Sequence, residues 1–268
     1  MRADLTLALA QMTSTPDWER NLRGVADALA GAAGGCDLVV FPENALCLGS
    51  TATILREARP AAALTATLGA LCRQHRQAAV FGGVAVADGA KARNSSLLFD
   101  AEGRLLARYD KMHLFQLEPG RPGGIDETEA YTYGDGPVAI EVNGWRIGLT
   151  ICYDLRFPEL MRAYAGADLV LCTAAFTRQT GAAHWEVLLR ARAIENLCYV
   201  AGAGLCGSNP ETGTRLHGHS MVVDPWGDVI ARADADQPGL LRVSLDAARL
   251  AAVRERLPAL QHRRLGPG

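Results

Sequence analysis

The sequence predicts an α/β fold in which two mixed β-sheets pack face to face, with helices covering both outer faces. Three observations carry that reading. Short apolar runs of strand length alternate with stretches of helical period along most of the chain. Hairpin signals break the alternation at Ala101-Glu102-Gly103 and at Asn143-Gly144, and a purely parallel sheet cannot contain a hairpin. The strands are numerous, and stacking two sheets under outer helices buries their apolar faces. No linker and no internal repeat divides the chain, so residues 1–258 read as a single domain and residues 259–268 as a C-terminal tail.

Taken in order, residues 5–10 are a continuous apolar run, the signature of a strand buried on both faces. Residues 17–30 place Leu22, Val25, Ala26 and Leu29 on one helical face, and Gly31, Gly34 and Gly35 stop that helix. Residues 37–41 form a second buried strand, which ends at Pro42-Glu43. An alanine-rich helix spans 61–76, and 79–86 reads as a strand in which Gly82-Gly83 marks a bulge or close backbone approach. Strands at 94–100 and 104–109 flank a turn, and the second ends at Asp110-Lys111. From 112 to 137 the chain is rich in glycine, proline and charge; a loop that long in a compact domain is usually functional. Strands at 138–142 and 145–151 follow, then a helix opening at Pro158, whose fixed φ suits a first helical turn. A strand at 168–172 leads to an amphipathic helix at 183–197 with Val187, Leu188, Ala191 and Ile194 as its apolar stripe. After a strand at 198–203, residues 217–223 and 229–233 flank a β-turn at Asp224-Pro225-Trp226-Gly227. The last strand covers 240–245, Asp246 caps a final helix that Pro258 ends, and Gly266-Pro267-Gly268 reads as mobile.

Composition narrows the function. Of 268 residues, 49% are hydrophobic and 21% charged, ordinary for a globular chain long enough to bury a substantial core. The net charge of −2, without a long basic block, argues against nucleic-acid or membrane-surface partners. No apolar run reaches bilayer-spanning length. Ala8-Leu9-Ala10 after Met1-Arg2 imitates a secretory signal, but the run is too short and Asp4 interrupts its basic end. Seven cysteines without framework spacing are expected as reduced thiols in a cytoplasmic protein.

The stretch from Leu149 to Leu160 organises the chain. Cys152 closes an apolar strand and precedes a helix, a position at which α/β sheets place their ligands. Taken alone, a free cysteine is most often a small core side chain. Its company argues for more. Glu43 and Lys111 also follow apolar strands directly. If the three strands lie side by side in parallel, a nucleophile, a base and a charge stabiliser gather at one sheet edge. Lys111 and the helix start after Cys152 are then expected to favour the thiolate.

Phe41-Pro42-Glu43-Asn44, Tyr109-Asp110-Lys111-Met112-His113-Leu114-Phe115 and Ile151-Cys152-Tyr153-Asp154-Leu155-Arg156-Phe157-Pro158-Glu159 resemble the three signatures of the nitrilase, or carbon–nitrogen hydrolase, superfamily, in that family's order. The likeness runs from Leu5 to about Leu257. It implies a four-layer α-β-β-α sandwich that pairs into homodimers or larger homo-oligomers. It implies a catalytic triad of Glu43 as general base, Lys111 as oxyanion stabiliser and Cys152 as nucleophile. A second loop glutamate of the family is best matched by Glu127, with Glu118 and Glu129 nearby. The segments around Ala175-Phe176-Thr177, His184-Trp185-Glu186 and Gly218-His219-Ser220-Met221 resemble the Nit-type amidases. That branch acts on small carboxylate-bearing amides, namely deaminated glutathione and α-ketoglutaramate. N-carbamoyl amino acids and nitriles stay open, because all begin with the same thiolate attack. Tyr153, Phe176 and Thr177 are expected at the substrate, and Arg156 and Arg178 are candidates to hold its carboxylate in a bidentate fork.

Rival constellations are weaker. Cys198, Cys206, His217 and His219 lack the paired spacing of a zinc site. None of His113, His184, His217 or His219 adjoins Cys152, and His184 is expected to hydrogen-bond nearby backbone. Residues 202–207 spell G-x-G-x-x-G after a strand, but Ser208-Asn209-Pro210 and Gly213 describe a loop where a dinucleotide site needs a helix. Nothing in the sequence calls for a cofactor or metal. The alternative from another class is a nucleotide- or ligand-binding module without chemistry, which an inert Cys152 would favour.

Overall fold

The computed structural model describes residues 3–121 and 123–265; Met1-Arg2 and Gly266-Pro267-Gly268, on which expectations for the two ends partly rested, lie outside the described residues. The first half of the chain runs β1 (Leu5–Gln11), α1 (Trp18–Ala32), β2 (Leu38–Phe41), α2 (Thr51–Glu57), α3 (Ala61–His75), β3 (Ala79–Asp88), β4 (Lys91–Phe99) and β5 (Leu105–Asp110). Three two-residue strands follow in the long loop: β6 (Gln116–Leu117), β7 (Ile125–Asp126) and β8 (Tyr131–Thr132). The second half runs β9 (Ala139–Val142), β10 (Trp145–Ile151), α4 (Pro158–Ala163), β11 (Leu169–Ala174), α5 (Arg178–Asn196), β12 (Tyr199–Gly204), β13 (Met221–Val223), β14 (Val229–Arg232), β15 (Gly239–Leu245) and α6 (Ala247–Arg256). The tail is not featureless, since Ala259–His262 forms a 3₁₀ turn.

Two sheets result. One has the order β15-β1-β2-β3-β4-β5 with β8 beside β4; the other has β14-β13-β12-β11-β10-β9. Each is parallel at its centre, β1-β2-β3 and β10-β11-β12, and antiparallel at its edges. Strand side chains alternate between faces, and β1 uses both. Leu5, Leu7 and Leu9 pack with the second sheet's Ile147, Leu169 and Ala201, while Ala8 and Ala10 pack beneath Val25 and Leu29 of α1 and Leu64 and Leu68 of α3. Burying one such leucine contributes roughly 1.5–3 kcal/mol. On the far side Leu160 and Met161 of α4, Trp185 and Leu189 of α5 and Leu250 of α6 close the second sheet's outer face. The four layers are therefore α-β-β-α.

The helices begin where polar side chains satisfy their first N–H groups. Asp17 accepts from Arg20 N at 3.0 Å, and Asp246 from Arg249 N at 2.9 Å. Two elements escape the sequence reading. Helix α2 is short and capped by Ser50, and β3 and β4 form a hairpin around Gly89-Ala90 that Asp88-Gly89 could have announced. The Gly82-Gly83 irregularity is present, where the β3–β4 register shifts between Phe81 and Val84.

Two expectations are corrected. Helix α5 begins at Arg178 rather than near 183, because Thr177 caps it. It buries Trp185, Leu189 and Ala193, while Val187 and Ile194 of the expected stripe are 67% and 46% exposed. Both faces of this helix carry apolar residues, and the close fit of Trp185 on Gly202 selects the inner one: a Cβ there would lie 2.5 Å from the indole. The second correction concerns strand adjacency. β2 and β5 belong to one sheet and are separated by β3 and β4, whereas β10 lies in the other sheet. The three strand ends meet across the sandwich, not along one sheet edge.

Candidate active site

Each candidate side chain leaves a buried strand end. Glu43 lies just past β2 and is 2% exposed; Lys111 follows β5 at 1%; Cys152 follows β10 at 8%. Cys152 takes φ +50° at the start of a five-residue 3₁₀ turn, and Asn44, next to Glu43, takes φ +59°. A left-handed cysteine costs roughly 1–2 kcal/mol, and it turns the chain sharply enough to point the sulfur out of the sheet.

The two sheets come close beneath the site because side chains there are small. Ser96 Oγ on β4 lies 3.3 Å from Thr173 Oγ1 on β11. A Cβ on Gly82 would collide with Thr173, and one on Gly83 would lie 2.5 Å from Glu43 Cγ. Gly83 at φ +62° thus forms a floor against which the Glu43 side chain rests.

Lys111 Nζ lies 2.8 Å from Glu43 Oε1 and 2.9 and 2.8 Å from the two oxygens of Glu127. Glu127 also accepts the Phe115 N–H at 2.7 Å, which fixes the loop glutamate against the site. Glu118 and Glu129 go elsewhere, to Arg121 and Thr51. Glu43 accepts two further donors, Asn94 Nδ2 on Oε1 and the Ala175 N–H on Oε2, both at 3.0 Å. The Cys152 thiol lies in the field of the same carboxylate.

This cluster of charges sets its own titration. Burial alone would favour a neutral lysine, but the carboxylates of Glu127 and Glu43 outweigh it and hold the Lys111 ammonium far above the ordinary lysine range. Burial, and after it the Glu43 carboxylate, pushes the Cys152 thiol well above the ordinary cysteine value, against the pull of Lys111. Burial likewise raises Glu127, with Lys111 pulling it back. The pull of Lys111 toward the thiolate is present but outweighed: desolvation and two carboxylates favour the thiol.

A buried network that sequence reasoning missed ties the lysine segment to the cysteine turn. Asp154 accepts from Tyr109 Oη at 2.6 Å, from His113 N at 3.0 Å and from Ile151 N at 2.9 Å, and lies 2.7 Å from His113 Nδ1. Its signal was a carboxylate two residues after Cys152 in an otherwise apolar setting.

Two connected cavities open onto the sulfur. The narrower is walled by Phe115, Tyr153, Arg156, Phe176 and Thr177. The wider, about 450 Å³, reaches out past Glu127 and Tyr131 to Asn209 and Thr214. Tyr153, Arg156, Phe176 and Thr177 therefore line one cavity beside Cys152. Arg156 lies over the Phe176 ring at 5.3 Å and meets His184 Nδ1 at 3.1 Å, so His184 faces a side chain rather than backbone. Among the described residues Arg156 has no acidic partner. Arg178 differs: it pairs with Asp236 at 3.3 Å and does not line either cavity. Residues 205–215 continue from β12 as a loop, without the helix a dinucleotide site requires.

Comparison with known proteins fits this geometry. The carbon–nitrogen hydrolase family matches residues 6–255. A deaminated glutathione amidase from Synechocystis is 39% identical over 274 residues, covering 98% of this chain and 99% of its own. Nit3 of Saccharomyces cerevisiae, a member of branch 10 of the nitrilase superfamily, superposes with a TM-score of 0.87 at 29% identity, over 98% of this chain and 97% of its own. An amidase from Nesterenkonia, solved with acrylamide added to its active-site cysteine, gives a TM-score of 0.80 at 31% identity, over 95% of this chain and 98% of its own.

Proposed function

The chain belongs to the carbon–nitrogen hydrolase family and is an amidase of that family, and from that premise we propose that it releases ammonia from a small carboxylate-bearing amide through a thioester on Cys152, with deaminated glutathione as the leading substrate. One observation carries the mechanism: a fully buried ammonium, Lys111, bridges two carboxylates beside a buried thiol.

The steps follow from that arrangement. Glu43 takes the proton of Cys152 as the sulfur attacks the amide carbon. Charge gathers on the carbonyl oxygen, where Lys111 and the Tyr153 N–H are the donors; a helix start leaves such N–H groups without internal partners. Glu127 holds Lys111 in place and charged. Glu43 passes its proton to the nitrogen, the C–N bond breaks, and ammonia leaves the thioester. Glu43 then takes a proton from water as it attacks, and returning that proton to sulfur frees the acid and restores the thiol. Glu43 thus ends each cycle as it began.

Arg156 supports the choice of an acidic amide. It is the cation on the inner wall, it stacks on Phe176, and its guanidinium is free of carboxylates among the described residues. The wider cavity of about 450 Å³ suits an extended acyl chain better than a minimal one. Ammonia release from deaminated glutathione, α-ketoglutaramate, N-carbamoyl amino acids and simple nitriles tests this. Turnover of the last two alone would reject the proposed substrate class.

Two further readings belong here. The seven free thiols support a cytoplasmic setting; among the described residues no helix is long and apolar enough to cross a membrane. A homodimer is supported by the outward apolar side chains of α5 and its neighbours. Val187, Ile194, Trp226 and Ile230 are all exposed, and Arg190 Nε to Gly227 O at 2.8 Å ties α5 to the Asp224–Asp228 turn. Sedimentation checks it: Ile194→Lys should shift a dimer to monomer, and a monomeric wild type would reject it.

A further inference from the structure

Resting on the reading of Glu43 as the base, we propose that Asn94 is a positioning residue that serves both protonation states of that base. Asn94 lies on β4 and is 1% exposed. Its Nδ2 donates at 3.0 Å to Glu43 Oε1, the oxygen that also takes Lys111 Nζ at 2.8 Å. Its backbone carbonyl accepts the Lys111 N–H at 2.8 Å. One residue therefore fixes the base and the ammonium relative to each other.

The remaining amide atom carries the inference further. Asn94 Oδ1 is buried and has no hydrogen-bond partner among the described residues. Such atoms are rare in folded proteins and call for an explanation. An ionised carboxylate only accepts, so the amide turns its NH₂ toward Glu43. Once Glu43 has taken the Cys152 proton it becomes a carboxylic acid with an O–H to donate. A half-turn of the amide about its last torsion then offers Oδ1 as acceptor. Lys111 and the Ala175 N–H, the other groups bonded to this carboxylate, can only donate. Of these three donors Asn94 is the one able to reverse its role, and it neither gains nor loses a proton in doing so. Its sequence signal is the polar run Asn94-Ser95-Ser96 inside a strand whose next residues, Leu97 to Phe99, are apolar and buried.

Among the described residues the titratable groups that feel Glu43 are Lys111 after β5, Glu127 in the loop, Tyr131 on β8, Cys152 after β10 and Cys172 on β11. None is altered by Asn94→Leu, which keeps the side-chain shape and removes its hydrogen bonds. The expected result is a kcat for ammonia release lower by about tenfold or more, with KM changed less than about twofold. That split between kcat and KM is the readout a merely structural role would not give. Asn94→Asp removes the donor and sets a second carboxyl against Glu43, and should lower kcat farther. It carries the comparison if Asn94→Leu does not fold.

The probe is deaminated glutathione or the fastest amide of the panel. A folded Asn94→Leu with wild-type kcat overturns the proposal. Glu43→Gln separates the two claims. Residual turnover near wild type there would sink the base itself, whereas an inactive Glu43→Gln beside a normal Asn94→Leu would sink only the role of Asn94.

Discussion

The floor of the site and its rim are built by different means. Glu43, Lys111 and Cys152 stand at the ends of buried strands, at most 8% exposed, and their distances are fixed by two sheets that nearly touch beneath them. The rim comes from the long loop between β5 and β9 and from residues 205–216, which hold two-residue strands and isolated bridges. The floor borrows its precision from close packing, which tolerates little displacement. The rim takes its shape from individual hydrogen bonds. Proton transfer needs atoms within hydrogen-bond reach, so the proposed function assigns chemistry to the floor and choice of acyl group to the rim.

Four variants test that division, from the strongest effect down. Cys152→Ala should drop ammonia release to background while circular dichroism and melting stay near wild type; appreciable turnover would mean another nucleophile. Lys111→Met should lower kcat by roughly 10²–10³-fold through loss of the charged donor, and an unaffected kcat would remove Lys111 from the chemistry. Arg156→Ala, on the inner wall, should raise KM for an acidic amide by about tenfold or more and leave kcat nearly alone. Equal loss for a neutral amide would show that Arg156 packs rather than recognises.

The smallest effect belongs to the rim's own tie. Glu211 accepts the Ser50 N–H at 2.6 Å and the Thr53 hydroxyl at 2.9 Å, clasping the 205–216 loop to α2. Those bonds, the Ser50 N–H first, hold its carboxyl below the ordinary value of 4.5. A depressed carboxyl contributes above its unfolded value and loses that contribution as pH falls through the folded one. The clasp should therefore hold at neutral pH and loosen only below about pH 4.5. Glu211→Gln should raise KM a few-fold at pH 7 with little change in kcat; a large kcat loss would place the loop in the chemistry after all.

The same division decides what the sequence reveals. Strand ends are legible because an apolar run stopping at Glu43, Lys111 or Cys152 is a local signal. Helices α1 and α6 are legible through the Asp17 and Asp246 caps. Which sheet a strand joins is not local: β10 could have continued beside β2, and only the mutual fit of two apolar surfaces sends it across the sandwich. Helix α5 fails for a related reason. Val187 and Ile194 carry the same period as Trp185 and Leu189 plus or minus two residues, and periodicity weighs them alike until Gly202 opens a slot for the indole. Asn94 was hidden because a polar residue in a strand reads as a surface position, and its neighbours across the sheets are far away in sequence.

The buried sulfur has one more consequence, for survival under oxidative stress. Peroxide attacks thiolates, and susceptibility follows thiolate character and access. With Cys152 as the proposed nucleophile, a thiol kept protonated by desolvation and by Glu43 is shielded between turnovers. Millimolar hydrogen peroxide should then inactivate the Asn94→Leu and wild-type enzymes slowly at pH 7, and rapid sulfenic acid formation at Cys152 in the resting protein would contradict the protonated state.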